Sequence, residues 1–301
     1  MTGATDSKGG IPLGLAAYAI WGFMPLYFKL LASVRPTEIV AHRIIWSVIL
    51  LGLLATFWQR WGAIRAALGT GKVLVTLVVT ACLIAVNWLV YIYSIFTDHV
   101  LAASLGYYLN PLVNVMLGMI FLGERLSRLQ LVAVAIAGVG VAILLAGALD
   151  TLWISLTLAF SFGTYGLIRK VVPVGSLPGL SVETTVLLLP SLGVAAWYLW
   201  AGDGRGFGSD SSISLLLMAG GVITAVPLLL FATAARRMSY AALGFVQFLA
   251  PTLQFLLSLF VFHEPLKPAQ LACFVLIWIS IAVFSFDMLR KMRAERMIEV
   301  A

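Results

Sequence analysis

Charge is missing from long runs of this chain, and that absence limits the fold more than any motif does. Asp, Glu, Lys and Arg do not occur in ten windows, 9–28, 44–59, 73–97, 99–123, 129–149, 151–168, 184–202, 211–235, 238–263 and 268–286. A helix needs about 20 residues to cross roughly 30 Å of hydrocarbon, and each window comes near that length. A membrane barrel would alternate polar and apolar residues instead. With 62% hydrophobic and 10% charged residues and a mean hydropathy of +1.06, the chain has too little polar surface to cover itself in water. The spacing predicts an all-α integral membrane protein of ten transmembrane helices joined by short loops. Only Lys8 precedes the first window as a basic residue, and no small-residue cleavage site leads into a soluble domain, so that window reads as a retained helix rather than a signal peptide.

The net charge of +7 would suit nucleic acid only if a water-exposed domain gathered it on one face, and no segment is long enough to do so. Topology accounts for it better. If the N-terminus is cytoplasmic, 14 of the 19 basic residues fall on the cytoplasmic side, from Lys8 and Arg60 to Arg290, Lys291, Arg293 and Arg296. Three, Arg35, Arg205 and Lys267, fall on the other side, and Lys29 and Arg43 lie within helices. This bias predicts that both termini are cytoplasmic. Cys82 and Cys273 sit inside apolar windows as small fillers, with no disulfide or thiol–metal pair implied.

The chain also repeats itself. At an offset of 140, Pro111 meets Pro251, Glu124 meets Glu264 and Gln130 meets Gln270; at 141, Gly22 meets Gly163 and Lys29 meets Lys170. Two five-helix halves follow, dividing near Asp150. Because five is odd, the second half enters the membrane inverted, a construction secondary transporters use around a midplane solute site. The Gly- and Ser-rich run from Gly202 to Ser212 reads as an external passive connector, with a moving gate as the alternative.

Polar residues inside the windows are the candidate functional groups. Arg43 lies about two turns into the second helix, where a charge costs at least ~2.5 kcal/mol unless it faces water or a partner. Either His42 or Arg43 lines a cavity and meets an anionic or carboxylate-bearing solute, with His42 also able to carry a coupling proton, or Arg43 reaches the outer surface or caps carbonyls of the other half. Lys29 and Lys170, repeat mates near opposite faces, are gating or coupling candidates, with interfacial anchoring as the alternative for Lys170. Glu183, at the start of the seventh helix, is a proton-coupling candidate that the helix dipole would also favour.

Asn87, Tyr91 and Ser94 share one face of the third helix, with Trp88 adjacent. Asn110 and Asn114 stack in the fourth with Tyr107 a turn earlier, and Gln247 and Gln254 stack in the ninth. These amides either line a cavity or tie helices together at ~0.6 kcal/mol each. Pro111 and Pro251 free carbonyls four residues earlier and so predict kinks beside them. Tyr18, Trp21, Trp88, Tyr91, Tyr107, Tyr108 and Tyr165 are candidates for an aromatic box, against a belt or core role. Ala133, Ala137, Gly138, Ala142 and Ala146 give the fifth helix small faces for close packing, within the chain or across a dimer. No catalytic motif, metal-binding spacing or cofactor-binding loop is present, so the sequence implies neither an enzyme nor a cofactor.

Taken together, these residues resemble the RarD branch of the drug/metabolite transporter superfamily, built from two EamA-type halves. The resemblance spans nearly the whole chain. It is carried by Pro25-Leu-Tyr-Phe-Lys-Leu-Leu31, His42-Arg43, Asn87-Trp88-Leu-Val-Tyr91, the block from His99 to Asn114, Gly123-Glu124-Arg125, Tyr165 to Lys170, Glu183-Thr184, Ala235-Arg236-Arg237 and Gln247 to Gln254. One departure is His263 before Glu264, where relatives commonly carry Gly. The resemblance implies a bacterial inner-membrane permease with EamA-like repeats at 9–149 and 150–290 and a short basic cytoplasmic tail at 291–301. It implies transport of a small drug, amino acid or metabolite, with export the common theme of the superfamily and import left open. The expected mechanism is alternating access, with His42, Arg43, Asn87, Trp88, Tyr91, Asn110 and Gln247 facing the solute. Relatives are linked in name to chloramphenicol sensitivity. The partners expected are a small solute and the bilayer, not nucleic acid, and the chain is compatible with monomer or homodimer. A channel or scramblase, or a membrane binding subunit without flux, would use the same helices.

Overall fold

The fold is taken from a computed structural model, which describes residues 9–97, 99–145, 150, 152–201, 206–263 and 268–300. It is all helical among those residues: α1 Gly10–Gly22, α2 Met24–Leu30, α3 Pro36–Phe57, α4 Trp61–Gly69, α5 Gly71–Phe96, α6 Val100–Leu122, α7 Arg128–Leu145, α8 Leu152–Val171, α9 Ser176–Ala201, α10 Ser211–Arg237, α11 Tyr240–Gln247, α12 Leu249–Phe260 and α13 Pro268–Val300. Eight stretches among the described residues are long and apolar enough to cross a membrane, with α1–α2 counted as one and α11–α12 as one. The Arg128–Leu144 stretch of α7 is shorter. In α8, Ser, Thr and Tyr side chains and the terminal Arg169 and Lys170 dilute the apolar run. Large side chains such as Leu53, Phe57, Ile120, Trp200 and Phe286 point outward, as a lipid-facing surface requires.

The helix breaks follow proline. Pro25 and Pro251 have no N–H to give the carbonyls of Trp21 and Gln247, and the chain breaks at Phe23 and Phe248 just ahead of them. Gln254 Nε2 donates to the freed Trp21 carbonyl at 3.1 Å. Pro111 behaves otherwise, for α6 runs on through it. Ends are capped locally: Pro36 opens α3, and Ser239 accepts from Ala242 N–H at 3.2 Å. The connector before α10 ends in Asp210, whose carboxylate accepts the N–H groups of Ile213 and Ser212; those bonds hold its pKa below the usual carboxylate range. Its residues 202–205, Arg205 included, lie outside the described residues.

Two differences from the expected layout have simple causes. The stretch after α3 is the helix α4 rather than a loop, because Ile64 and Ala67, three residues apart, bury against Val172, Val174 and Val182. The small residues of α7 divide between faces. Ala133, Ala137 and Gly140 meet α13, where Ser280 donates to the Ala133 carbonyl at 2.6 Å, while Gly138 and Ala142 face away and Ala146 lies outside the described residues.

The most extensive packing joins helices before Asp150 to helices after it: α7 on α13, α6 on α8, α3 on α10 and α9, α1 on α10. The core is therefore shared, running from Ala17 and Leu105 through Phe162 and Phe231 to Phe248 and Phe284. Glu124, just past α6, ties the two parts at one end by accepting the N–H groups of Tyr240 (2.6 Å) and Ala241 (2.9 Å) at the start of α11. Its repeat mate Glu264, with Lys267, lies outside the described residues.

Candidate functional site

A cavity of about 660 Å³ lies between these helices, walled by α1, α2, α3, α5 and α6 on one side and α8, α10, α11 and α12 on the other. Of the candidate residues, Arg43, Asn87, Trp88, Tyr91, Tyr107, Asn110, Gln247, Gln254, Lys29 and Pro251 line it. Trp21, Phe28, Phe162 and Phe262 supply much of the remaining wall.

Arg43 is the central polar group. Its side chain is buried, its Nε donates to Thr224 Oγ1 at 2.7 Å, and its guanidinium lies 5.4 Å from the Trp88 ring and 5.7 Å from that of Phe28. Among the described residues no carbonyl of the other part receives it, and at 9% exposure it does not reach the outer surface. Ser47, one turn later on α3, donates to the carbonyls of Arg43 and Gly221, binding α3 to α10. A methyl group on Gly220 would meet Tyr27 Oη at 2.7 Å and Arg43 Cγ at 3.0 Å, so one of those side chains would have to shift. Lys29, by contrast, is exposed at the mouth, its Nζ 4.6 Å from the Phe262 ring centre.

The amides divide by role. Asn87 is engaged, donating to the Leu158 carbonyl and to Ser161 Oγ, both at 2.9 Å. Gln247 Oε1 accepts from Asn114 Nδ2 at 2.8 Å and from Tyr18 Oη at 3.3 Å. Asn110 is 1% exposed, yet neither its Oδ1 nor its Nδ2 has a hydrogen-bond partner among the described residues. Such orphaned amides are rare in packed interiors.

Several candidates lie elsewhere. His42 does not line the cavity: it stacks on Phe207 at 4.8 Å between ring centres and lies 4.0 Å from Glu38. Neighbours on a helix point about 100° apart, so Arg43 facing the cavity turns His42 away. Asn114 donates through Nδ2 to Gln247, and its buried Oδ1 has no partner among the described residues. Lys170 donates to the carbonyls of Ala235 (2.8 Å) and Met238 (2.5 Å) at the end of α10. Tyr108 packs on Phe274. Tyr165 stacks on Phe231 below the cavity floor of Tyr18, Trp21 and Phe162.

Glu183 forms a second buried polar centre beyond that floor. It lies 3.6 Å from Arg169 Nε and accepts from Thr80 Oγ1 at 2.6 Å and Tyr165 Oη at 3.4 Å; Arg169 Nη2 donates to the Ser176 carbonyl at 3.0 Å. Thr80 and Thr224 went unnoticed in the sequence, because a Thr in an apolar helix usually returns its hydroxyl to its own backbone. The pair of glycines one turn before Thr224 was the available sign of close approach. Glu38, which accepts from Phe207 N–H at 3.0 Å, was missed as well. Its sign was an acid in the first turn of α3.

The profile of the EamA-like transporter family matches residues 8–146. An uncharacterized transporter of Pseudomonas aeruginosa is 46% identical over 290 residues, covering 94% of this chain and 95% of its own. Protein RarD of Streptomyces exfoliatus is 42% identical over 98% of this chain and 94% of its own. A protein crystal structure aligns with a TM-score of 0.69 over 93% of this chain and 98% of its own, and at 19% identity it speaks to the fold alone.

Proposed function

Because the chain belongs to the RarD family of EamA-like drug/metabolite transporters, we propose that it is a secondary active transporter that moves a small organic solute across the bacterial cytoplasmic membrane by alternating access, with export as its direction. One observation carries this reading: the cavity is walled by both parts of the chain, so relative movement of the two would change its access. Arg43, Asn87, Trp88, Tyr91, Tyr107, Asn110, Gln247 and Gln254 are its proposed solute contacts.

We read the chain as ten crossings in two inverted halves, 9–149 and 150–290, with both termini cytoplasmic. The crossings are α1–α2, α3, α5, α6, α7, α8, α9, α10, α11–α12 and α13. The packing supports this, because exchanging each crossing for the one five later leaves the set of major contacts unchanged. Thus α6 on α8 becomes α11–α12 on α1, α3 on α10 becomes α9 on α5, and α1 on α10 becomes α8 on α5. The pairs α3 with α9, α6 with α11 and α7 with α13 map onto themselves. The excess of basic residues supports the orientation.

In this reading the cavity mouth beside Lys29 is external and the aromatic floor is the closed inner seal. Beneath it the Thr80–Glu183 hydrogen bond crosses between the halves, so opening inward must break it, and a proton on Glu183 would act there. Lys170, bonded to two carbonyls of α10, serves as an anchor.

The test is reconstitution into liposomes and uptake of chloramphenicol and of aromatic and aliphatic amino acids, with and without a pH gradient. The reading expects saturable flux with counterflow. Flux that neither saturates nor shows counterflow would identify a channel or scramblase, and absence of flux would favour a binding subunit.

A further inference from the structure

The cavity lining is unbalanced in charge. Lys29 and Arg43 are its basic residues, and no Asp or Glu stands among the described residues that wall it. A cation in so apolar a site is costly unless an anion or water meets it. Arg43 is also held in a way that leaves one edge free. Thr224 orients Nε, Trp88 and Phe28 flank the planar group, and neither Nη atom has a hydrogen-bond partner among the described residues. The free edge of a guanidinium is a planar fork that fits the two oxygens of a carboxylate. Asn110, another residue of the same wall, has both amide atoms buried and without a hydrogen-bond partner among the described residues.

The walls limit the rest of the solute. Trp21, Phe28, Trp88, Tyr91 and Phe162 offer flat apolar surface, and about 660 Å³ is enough for a body of one or two rings. We propose, resting on the transporter reading above, that the solute is an aromatic organic anion: a ring-bearing carboxylate with its oxygens on the Nη edge of Arg43 and its ring among Trp21, Trp88 and Phe162. Lys29 draws it to the mouth. A zwitterionic amino acid fits less well, because its ammonium meets no carboxylate in the wall. A neutral drug leaves Arg43 uncompensated.

The experiment compares one-ring solutes of similar shape and different charge. Binding of phenylacetate, 2-phenylacetamide, phenylalanine and phenethylamine to the purified full chain is measured by calorimetry, with indole-3-acetate as a two-ring anion. Phenylacetate should bind at least tenfold tighter than phenylacetamide or phenylalanine. That ratio should fall towards one in Arg43→Gln, recover in part in Arg43→Lys, and drop severalfold in Thr224→Val, which keeps the cation but loosens its orientation. Melting temperatures confirm that each variant is folded. Equal binding of the neutral or zwitterionic solute, no binding of either anion, or a preference that survives Arg43→Gln would each overturn the assignment. Counterflow in proteoliposomes with the same solutes separates the two readings. Counterflow without anion preference sinks the anion assignment and keeps the transporter; anion binding without counterflow does the reverse.

Discussion

Arg43 and Arg169 are both buried in helices, and they differ in whether a carboxylate stands beside them. Arg169 is fully enclosed, with the Glu183 carboxylate 3.6 Å from Nε, the Ser176 carbonyl on Nη2 and Gly179 packed against its guanidinium, while Nε and Nη1 have no hydrogen-bond partner among the described residues. Arg43 has one hydroxyl on Nε, aromatic rings on its flanks and a cavity in front. An arginine whose counter-charge is built in stabilises one arrangement of helices, whereas one whose counter-charge is left out is available to a solute. Burial alone does not tell them apart; the partners do.

Substitutions should separate the two. Arg169→Leu strands the Glu183 carboxylate and is expected to cost about 3–5 kcal/mol in unfolding measurements in detergent. Much of that loss should return in the Arg169→Leu/Glu183→Leu double variant; if the two losses simply add, the pair is not coupled. Glu124→Gln removes the charge from an acceptor of two backbone N–H groups and should cost about 1.5–3 kcal/mol by the same measurement. Arg43→Gln should change stability by less than about 1 kcal/mol while abolishing saturable flux in liposomes. A loss of stability as large as that of Arg169→Leu would make Arg43 structural and end the contrast. The smallest effects are expected at two repeat-mate turns. Gly123 has φ +65° and His263 has φ 53°. Gly123→Ala should therefore lose about 1 kcal/mol, and His263→Gly should shift the melting temperature slightly upward.

Much of this could be read from the sequence, for identifiable reasons. Apolar helices of membrane-crossing length were legible because charges border the apolar runs. The break before Pro251 was expected from proline chemistry, whereas the break at Phe23 before Pro25 was not and α6 runs on through Pro111. Arg43, Asn87 and Asn110 stood out because polar atoms in an apolar run need a reason to be there. The rotation of each helix was not legible. In α3, His42 and Arg43 are adjacent in a helix with no continuous polar stripe to fix its phase, so only the packed neighbours decide which one faces inward. Phe28, Phe162, Phe231 and Phe262 were hidden by their commonness in membrane helices. Thr224 and Thr80 were hidden because their partners lie 181 and 103 residues away. The departure at His263 gains a physical meaning, for it falls on a left-handed backbone position where glycine costs least.

The shared core also sets an order of events during synthesis. When α1 to α7 have been made, the faces that will carry their largest contacts, α6 against α8, α3 against α9 and α10, and α7 against α13, still have nothing to pack on. The nascent first part must wait in the bilayer, loosely assembled, until the second part is threaded. A chain cut after residue 149 should remain inserted but lack defined tertiary packing and be a ready target for membrane proteases, whereas co-expressing the two pieces should restore a protein that neither makes alone.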